Sequence, residues 1–288
     1  MRLLAIAMTN LLAVLPTMAA AEFPSSFSAA KRLAEQEIYY DQDLTFYCQC
    51  NFDVEEGPEL ASCGYEVRKQ PKRANRIEWE HIVPAFDLGR QFRCWQEGGR
   101  DNCRSTNPTF RRAEADLHNL VPTIGEVNGD RSNMRYGMVA GLDAYQYGQC
   151  QAQVSFEEDA FEPPARVRGD IARTYWYMRD VYNVRISRQQ QQLFTAWANM
   201  DPVDSWERER NRRIMVVQGN GNPYVSDDSI PAAPAQPTEP ESSLFSCSPR
   251  KTCGTMASCE EAMFHLQQCG NGRLDRDNDG IPCESICR

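Results

Sequence analysis

The fold of this chain turns on Arg76-Ile77-Glu78-Trp79-Glu80-His81-Ile82-Val83-Pro84, read with Asp116-Leu117-His118-Asn119-Leu120-Val121-Pro122 and Gly125-Glu126-Val127-Asn128-Gly129-Asp130-Arg131. The first stretch alternates imperfectly between apolar and polar residues and stops at Pro84; within the second, Leu117 to Val121 is a short apolar segment closed by Pro122. Both read as short strands ended by a residue that cannot donate to a ladder. Followed by a helix from about Gly125, they predict a ββα unit.

Around that unit the pattern is helical. Ser25 to Tyr39 and Pro163 to Asn183 carry helical spacing, and in the latter Ile171, Tyr175, Met178 and Tyr182 are expected to face the core. Ser187 is placed as the N-cap of a helix reaching Trp197, with Leu193, Phe194 and Trp197 on its buried side. Asp201-Pro202 offers a turn before a further helix over Val203 to Val217. The predicted class is α+β: a largely helical mixed domain built around the ββα unit, plus a small disulfide-rich C-terminal module. Trp79, Trp95 and Phe86 are assigned to packing.

The same segments carry the chemistry. Glu80 and His81 are adjacent, so on a regular strand they point to opposite faces and cannot share one phosphate unless the strand twists or ends there. His81, uncharged at neutral pH, suits a general base that deprotonates water, and Glu80 suits a ligand of a divalent metal. Asn128 could add an amide oxygen, although Asn128-Gly129 is also a good turn dipeptide. One carboxylate and one amide suit magnesium, which keeps several waters and takes its other ligands from phosphate. Arg100, in a loop bracketed by Cys94 and Cys103, offers a guanidinium to that phosphate. Asp116, His118 and Asn119 either act directly or hydrogen-bond to orient the unit; Glu114 and Glu126 are candidates for the same supporting role.

These residues resemble the endonuclease I family of secreted, non-specific bacterial nucleases. The resemblance runs from about Tyr39 to Val225 and continues through Arg168-Gly169-Asp170-Ile171-Ala172-Arg173, Asp201-Pro202-Val203-Asp204 and Gln218-Gly219-Asn220-Gly221-Asn222-Pro223-Tyr224. It implies a ββα-metal fold, His81 as the general base, Glu80 and Asn128 as metal ligands, and Arg100 as the phosphate contact. It also implies products with a 5′-phosphate.

Composition fits export. Arg2 is followed by the apolar run Leu3 to Leu15 and then Ala19-Ala20-Ala21, the pattern of a cleaved signal peptide. The run is interrupted by Thr9 and Asn10 and is too short to span a bilayer comfortably. Twelve cysteines in an exported chain read as disulfides before zinc ligands. Six precede a proline-rich stretch and six follow it, so each half can close its own bridges. Cys94 with Cys103 is the expected pair; the remaining connectivity is not deducible from spacing. The net charge of −9 excludes a protein that coats nucleic acid by bulk electrostatics, so any contact with DNA must be local. The basic residues are mostly arginine, with lysine only at positions 31, 69, 72 and 251.

The expected layout is a signal peptide over 1–21, a nuclease domain over 22–225, a linker over 226–246 and a module over 247–288. In the module, Asp275, Asp277 and Asp279 alternate before Gly280, which resembles the start of an EF-hand loop, but the closing Glu284 comes early and Cys283 intervenes. The segment is instead similar to the Excalibur calcium-binding module, which implies calcium on Asp275, Asp277, Asp279 and Glu284. The bland alternative is a disulfide knot with a solvated acidic turn. For the whole chain the expectation is an exported, monomeric, magnesium-dependent endonuclease of DNA, with RNA as a second candidate substrate and no membrane span. The competing readings are a non-catalytic calcium-binding or nucleic-acid-binding surface protein and a phosphodiesterase of small substrates.

Overall fold

The computed structural model describes residues 21–140, 144–225, 246–256, 259–267, 269–275 and 282–287. Most of the expected signal peptide and linker lie outside these residues, as do Asp277, Asp279 and the side chain of Glu284. The chain divides into two compact units, Met1–Ala233 and Pro234–Arg288.

At the centre of the first unit, β3 (Ile77–His81) pairs antiparallel with β4 (Leu120–Ile124), which runs straight into α6 (Gly125–Arg131). The second strand thus begins three residues later than its apolar run suggested: Leu117–Asn119 form a 3-10 turn, and β4 continues through Pro122 opposite Trp79. In a two-stranded sheet each strand is an edge, where a missing N–H is tolerated. Two short ribbons complete the β-structure of the described residues, β1 (Phe52–Asp53) with β2 (Gly57–Pro58), and β5 (Arg135–Tyr136), β7 (Ala160–Glu162) and β6 (Gln153–Ser155) in the order β5-β7-β6.

Helices make the rest. Ser26 caps α1 (Phe27–Leu33), which continues as a π-helical turn over Ala34–Ile38. The short α2 (Pro71–Ala74) and α3 (Ala85–Gly89) flank β3. The stretch around Arg100, expected as a loop, is helical: α4 (Arg93–Thr106) is broken only at Gly98 and Gly99, where Gly99 takes φ 65° and ψ −153°. A residue with a Cβ would be strained there. Next come α5 (Pro108–Glu114), capped by Asn107, and α7 (Arg168–Tyr182). Ser187 caps α8 (Arg188–Met200) and Asp204 caps α9 (Ser205–Gln218), each accepting the backbone N–H three residues on.

The interior of this unit falls into two clusters. Ile82, Val83, Val121 and Ile124 join a large core with Phe110, Trp176, Phe194 and Trp197, where Ile171, Tyr175, Met178 and Tyr182 of α7 are all buried. Trp79 and Leu120 instead face Ala30, Ala34, Ile38 and Ile214, from α1, its π turn and α9. Disulfides Cys48–Cys150, Cys50–Cys63 and Cys94–Cys103 tie this unit.

The second unit contains α10 (Cys259–Gln267) and α11 (Glu284–Cys287). Among its described residues Met256, Ala262, Leu274 and Cys283 form a buried apolar cluster, and it is bridged by Cys247–Cys269, Cys253–Cys283 and Cys259–Cys287. No bridge joins the two halves, and no cysteine is free. Among the described residues no helix is long and apolar enough to cross a membrane.

Candidate active site

A cleft of about 670 Å³ follows β3, and all five residues of that strand line it together with Arg100 and Asn128. That resolves the difficulty of adjacent side chains on opposite faces. Because β3 has only β4 as a partner among the described residues, its other edge is open, and a cavity along an edge is reached from both faces. His81 ends the strand, pointing with Trp79 toward α1, where its ring lies 4.6 Å from that of Phe27. Glu80 points the other way, and both reach the cleft.

His81 is held by its own hydrogen bond. Its Nε2 lies 2.8 Å from the carbonyl oxygen of Glu114. A carbonyl can only accept, so the ring proton belongs on Nε2 and Nδ1 keeps its lone pair. Burial, followed by the charge of nearby Arg100, lowers the pKa to about 4. The imidazole is therefore a neutral base throughout the physiological range.

Glu114 holds Arg100 as well. Its buried carboxylate accepts from Arg100 Nε at 2.6 Å and from Arg104 Nε and Nη2 at 2.9 and 2.8 Å. Burial alone would raise the Glu114 pKa, but the two guanidinium groups hold it below the usual range. Among the described residues, the terminal nitrogens of Arg100 make no hydrogen bond, so a fork remains for an anion.

Glu80 is buried against Arg131. Its Oε1 accepts from Arg131 Nη1 at 3.0 Å and from the Tyr47 hydroxyl at 3.2 Å. Arg131 also donates to the carbonyls of His81 and Ile82 at 2.9 and 2.7 Å, which fixes the end of the strand. Burial raises the Glu80 pKa to about 7 despite the attraction of Arg131. A carboxylate desolvated to this degree gains from a cation beside it.

Asn128 donates Nδ2 to Glu78 Oε2 at 2.8 Å, which leaves its carbonyl oxygen as the end available to a cation. Glu78 is itself paired with Arg73 and Arg76, whose charges overcome the effect of burial and lower its pKa. Arg73 crosses directly over Gly129, where an added Cβ would lie 1.9 Å from its guanidinium. Two oxygen donors in a polar cleft suit a hard cation that keeps its waters better than a soft transition metal. Among the described residues, no group of three or more His, Cys, Asp or Glu side chains gathers as a metal cluster.

Four other candidates lie outside the cleft lining. Asp116 accepts from Tyr177 and Tyr182 hydroxyls, Gln218 and the His118 backbone. His118 reaches the Asn220 carbonyl at 3.0 Å, and Asn119 clamps both backbone groups of Val83 at the end of β3. Glu126 accepts the Tyr65 hydroxyl and three successive backbone N–H groups at Arg68, Lys69 and Gln70. Several lining residues escaped the sequence reading: Arg131, Arg73, Glu78, Phe27 and Lys31. Only Arg131 and Glu78 had a local signal, as charged neighbours within the motifs. Phe86, assigned to packing, is 37% exposed at the cleft wall.

A histidine at the end of an edge strand, an arginine whose terminal nitrogens are uncommitted beside it, and an Asn on the helix that follows the second strand make up a ββα arrangement. Family comparison goes further. Residues 25–229 match the Endonuclease I family, and residues 250–284 match the Excalibur calcium-binding domain. The chain is 52% identical over 204 residues to an extracellular deoxyribonuclease of Aeromonas hydrophila, covering 69% of this chain and 88% of that protein. It is 50% identical over 193 residues to a periplasmic deoxyribonuclease of the same organism, covering 66% and 81%. It is 48% identical over 192 residues to Endonuclease-1 of Buchnera aphidicola subsp. Acyrthosiphon pisum (strain APS), covering 66% and 76%. The chain belongs to the endonuclease I family and ends in an Excalibur calcium-binding domain.

Proposed function

We propose that the protein is an exported, magnesium-dependent, sequence-non-specific endonuclease that hydrolyses DNA to products with a 5′-phosphate. Relatives named as extracellular and periplasmic deoxyribonucleases support the location and the substrate. The observation that carries the mechanism is Glu114, whose backbone carbonyl orients His81 while its carboxylate orients Arg100.

In this reading His81 Nδ1 takes the proton from the attacking water, and the Nε2–H bond to Glu114 stabilises the imidazolium that results. Arg100 binds the non-bridging oxygens of the phosphate as charge builds on them. Glu80 and Asn128 hold the magnesium ion, with Arg131 keeping the Glu80 carboxylate in place. Bound there, the ion supplies Lewis-acid stabilisation of the phosphate and of the leaving 3′ oxygen. Contacts directed at phosphate rather than base edges agree with indifference to sequence. In the second unit, Asp275, Asp277, Asp279 and Glu284 are the proposed calcium ligands, and of these Asp275 is buried.

Plasmid digestion with and without a chelator tests the reading, repeated on single- and double-stranded DNA and RNA at several magnesium and calcium concentrations. Cleavage restored by magnesium, with phosphate on the 5′ ends, is the expected result. Binding without cleavage under all these conditions would leave a non-catalytic nucleic-acid-binding protein instead.

A further inference from the structure

Beside the cleft lies a second concavity of about 260 Å³, and Phe86 and Asn133 line both. Its wall carries Arg90, Arg135 and Arg185. They come from separate places: Arg90 follows α3, Arg135 lies on β5, and Arg185 sits in the connection between α7 and α8. A merely solvated charged face arises from neighbouring positions on one element, whereas here the fold gathers guanidinium groups from distant stretches of a chain whose net charge is −9.

The facing acids leave much of that charge free. Arg90 lies 3.2 Å from Asp87, but Arg135 reaches only the Glu158 carbonyl, at 3.4 Å, and Arg185 makes no ion pair among the described residues. Asp159 is the other acid in the wall. Between groove and cleft stands the exposed ring of Phe86, with the Arg90 guanidinium carbon 5.4 Å from its centroid. Planar forks that fit phosphate, alternating with an exposed aromatic face, hold a nucleic-acid strand without reading its sequence.

We propose that this groove is an extended subsite for the substrate strand. Arg135 and Arg185 bind backbone phosphates beyond the one being cut, and Phe86 stacks a base where the strand leaves the cleft. The assignment rests on the nuclease reading and names the ligand as the sugar–phosphate backbone of a polynucleotide. Neither arginine takes part in bond breaking.

The test compares the full-length oxidised protein with Arg135→Gln/Arg185→Gln and with Arg212→Gln, which removes an exposed guanidinium of α9 outside both cavities. The first measurement is anisotropy of a labelled single-stranded DNA of about twelve nucleotides, in chelator, across a range of salt. The double variant should bind about tenfold more weakly at low salt, and the slope of log affinity against log salt should fall by about 1.4, from about 0.7 per contact. With magnesium, its KM for the same oligonucleotide should rise while kcat holds, and turnover of a dinucleotide that fills only the cleft should be unchanged. Wild-type affinity and slope in the double variant would overturn the assignment, as would an equal loss in Arg212→Gln or loss of dinucleotide turnover. Binding that depends on the two arginines without cleavage by any form would sink the nuclease reading and leave the groove standing, so the two failures are separable.

Discussion

The two units of this chain are stabilised by different means. The first buries a core of aromatic and aliphatic side chains from several helices and both central strands, and three disulfides tie it in addition. The second, over 234–288, has among its described residues only Met256, Ala262, Leu274, Pro282 and Cys283 as buried apolar groups, against three disulfides. So short a stretch cannot bury enough surface to offset the entropy of ordering it, and its three cross-links supply much of the difference. The contrast extends to chemistry, because the residues proposed for catalysis all lie in the packed unit, where burial can tune them.

The sharpest way to break that contrast is to remove the base. His81→Ala is expected to lose about two to four orders of magnitude in cleavage rate while keeping DNA affinity and calcium binding. Near-full plasmid cleavage by the purified variant would refute the mechanism. Glu80→Ala should lose the activity that magnesium supports, read as a flat magnesium titration.

Next in size is the effect of cross-links. Each disulfide contributes about 2–4 kcal/mol, so reducing a fragment over 246–288 should abolish its cooperative melting, and calcium should raise the melting temperature of the oxidised fragment. Calorimetric titration showing no calcium binding at millimolar concentration would remove the calcium assignment. A chain ending near Ser226 should still cut DNA with magnesium; loss of cleavage there would show that the units depend on each other.

A smaller effect distinguishes the cleft by pH. Since the His81 pKa is lowered to about 4, the neutral base persists as pH falls through the ordinary histidine range and is lost only near that value. The rate against pH, measured at saturating magnesium, should therefore show no histidine step between neutrality and about pH 5. A step near the unperturbed pKa of about 6.5 would mean that the imidazole is solvated during catalysis.

The smallest expected change is Gly129→Ala. The added Cβ would displace the Arg73 guanidinium from Glu78 and so loosen the amide of Asn128. We expect a several-fold rise in the magnesium needed for half-maximal rate, with little change in melting temperature.

Much was legible in the sequence because it depends on residues close together along the chain. Ser187 as an N-cap, the core-facing stripe of α7, and the strand pair leading into α6 follow from local hydrogen-bonding chemistry and side-chain period. The even division of cysteines likewise anticipated bridges confined to each half. Tertiary structure alone decided how the site is held. Nothing near Glu80 announces that Arg131 and Tyr47 meet its carboxylate, or that Glu114 binds His81 with its backbone and Arg100 with its side chain. These partners lie 33 or more residues away for Glu80 and His81, and 14 away for Arg100. The register of β4 went the same way, since Pro122 looks like a stop until the open edge of a two-stranded sheet admits it. Burial and charge act through space, so a sequence can name the reactive groups while only the packed chain sets their protonation, orientation and reach.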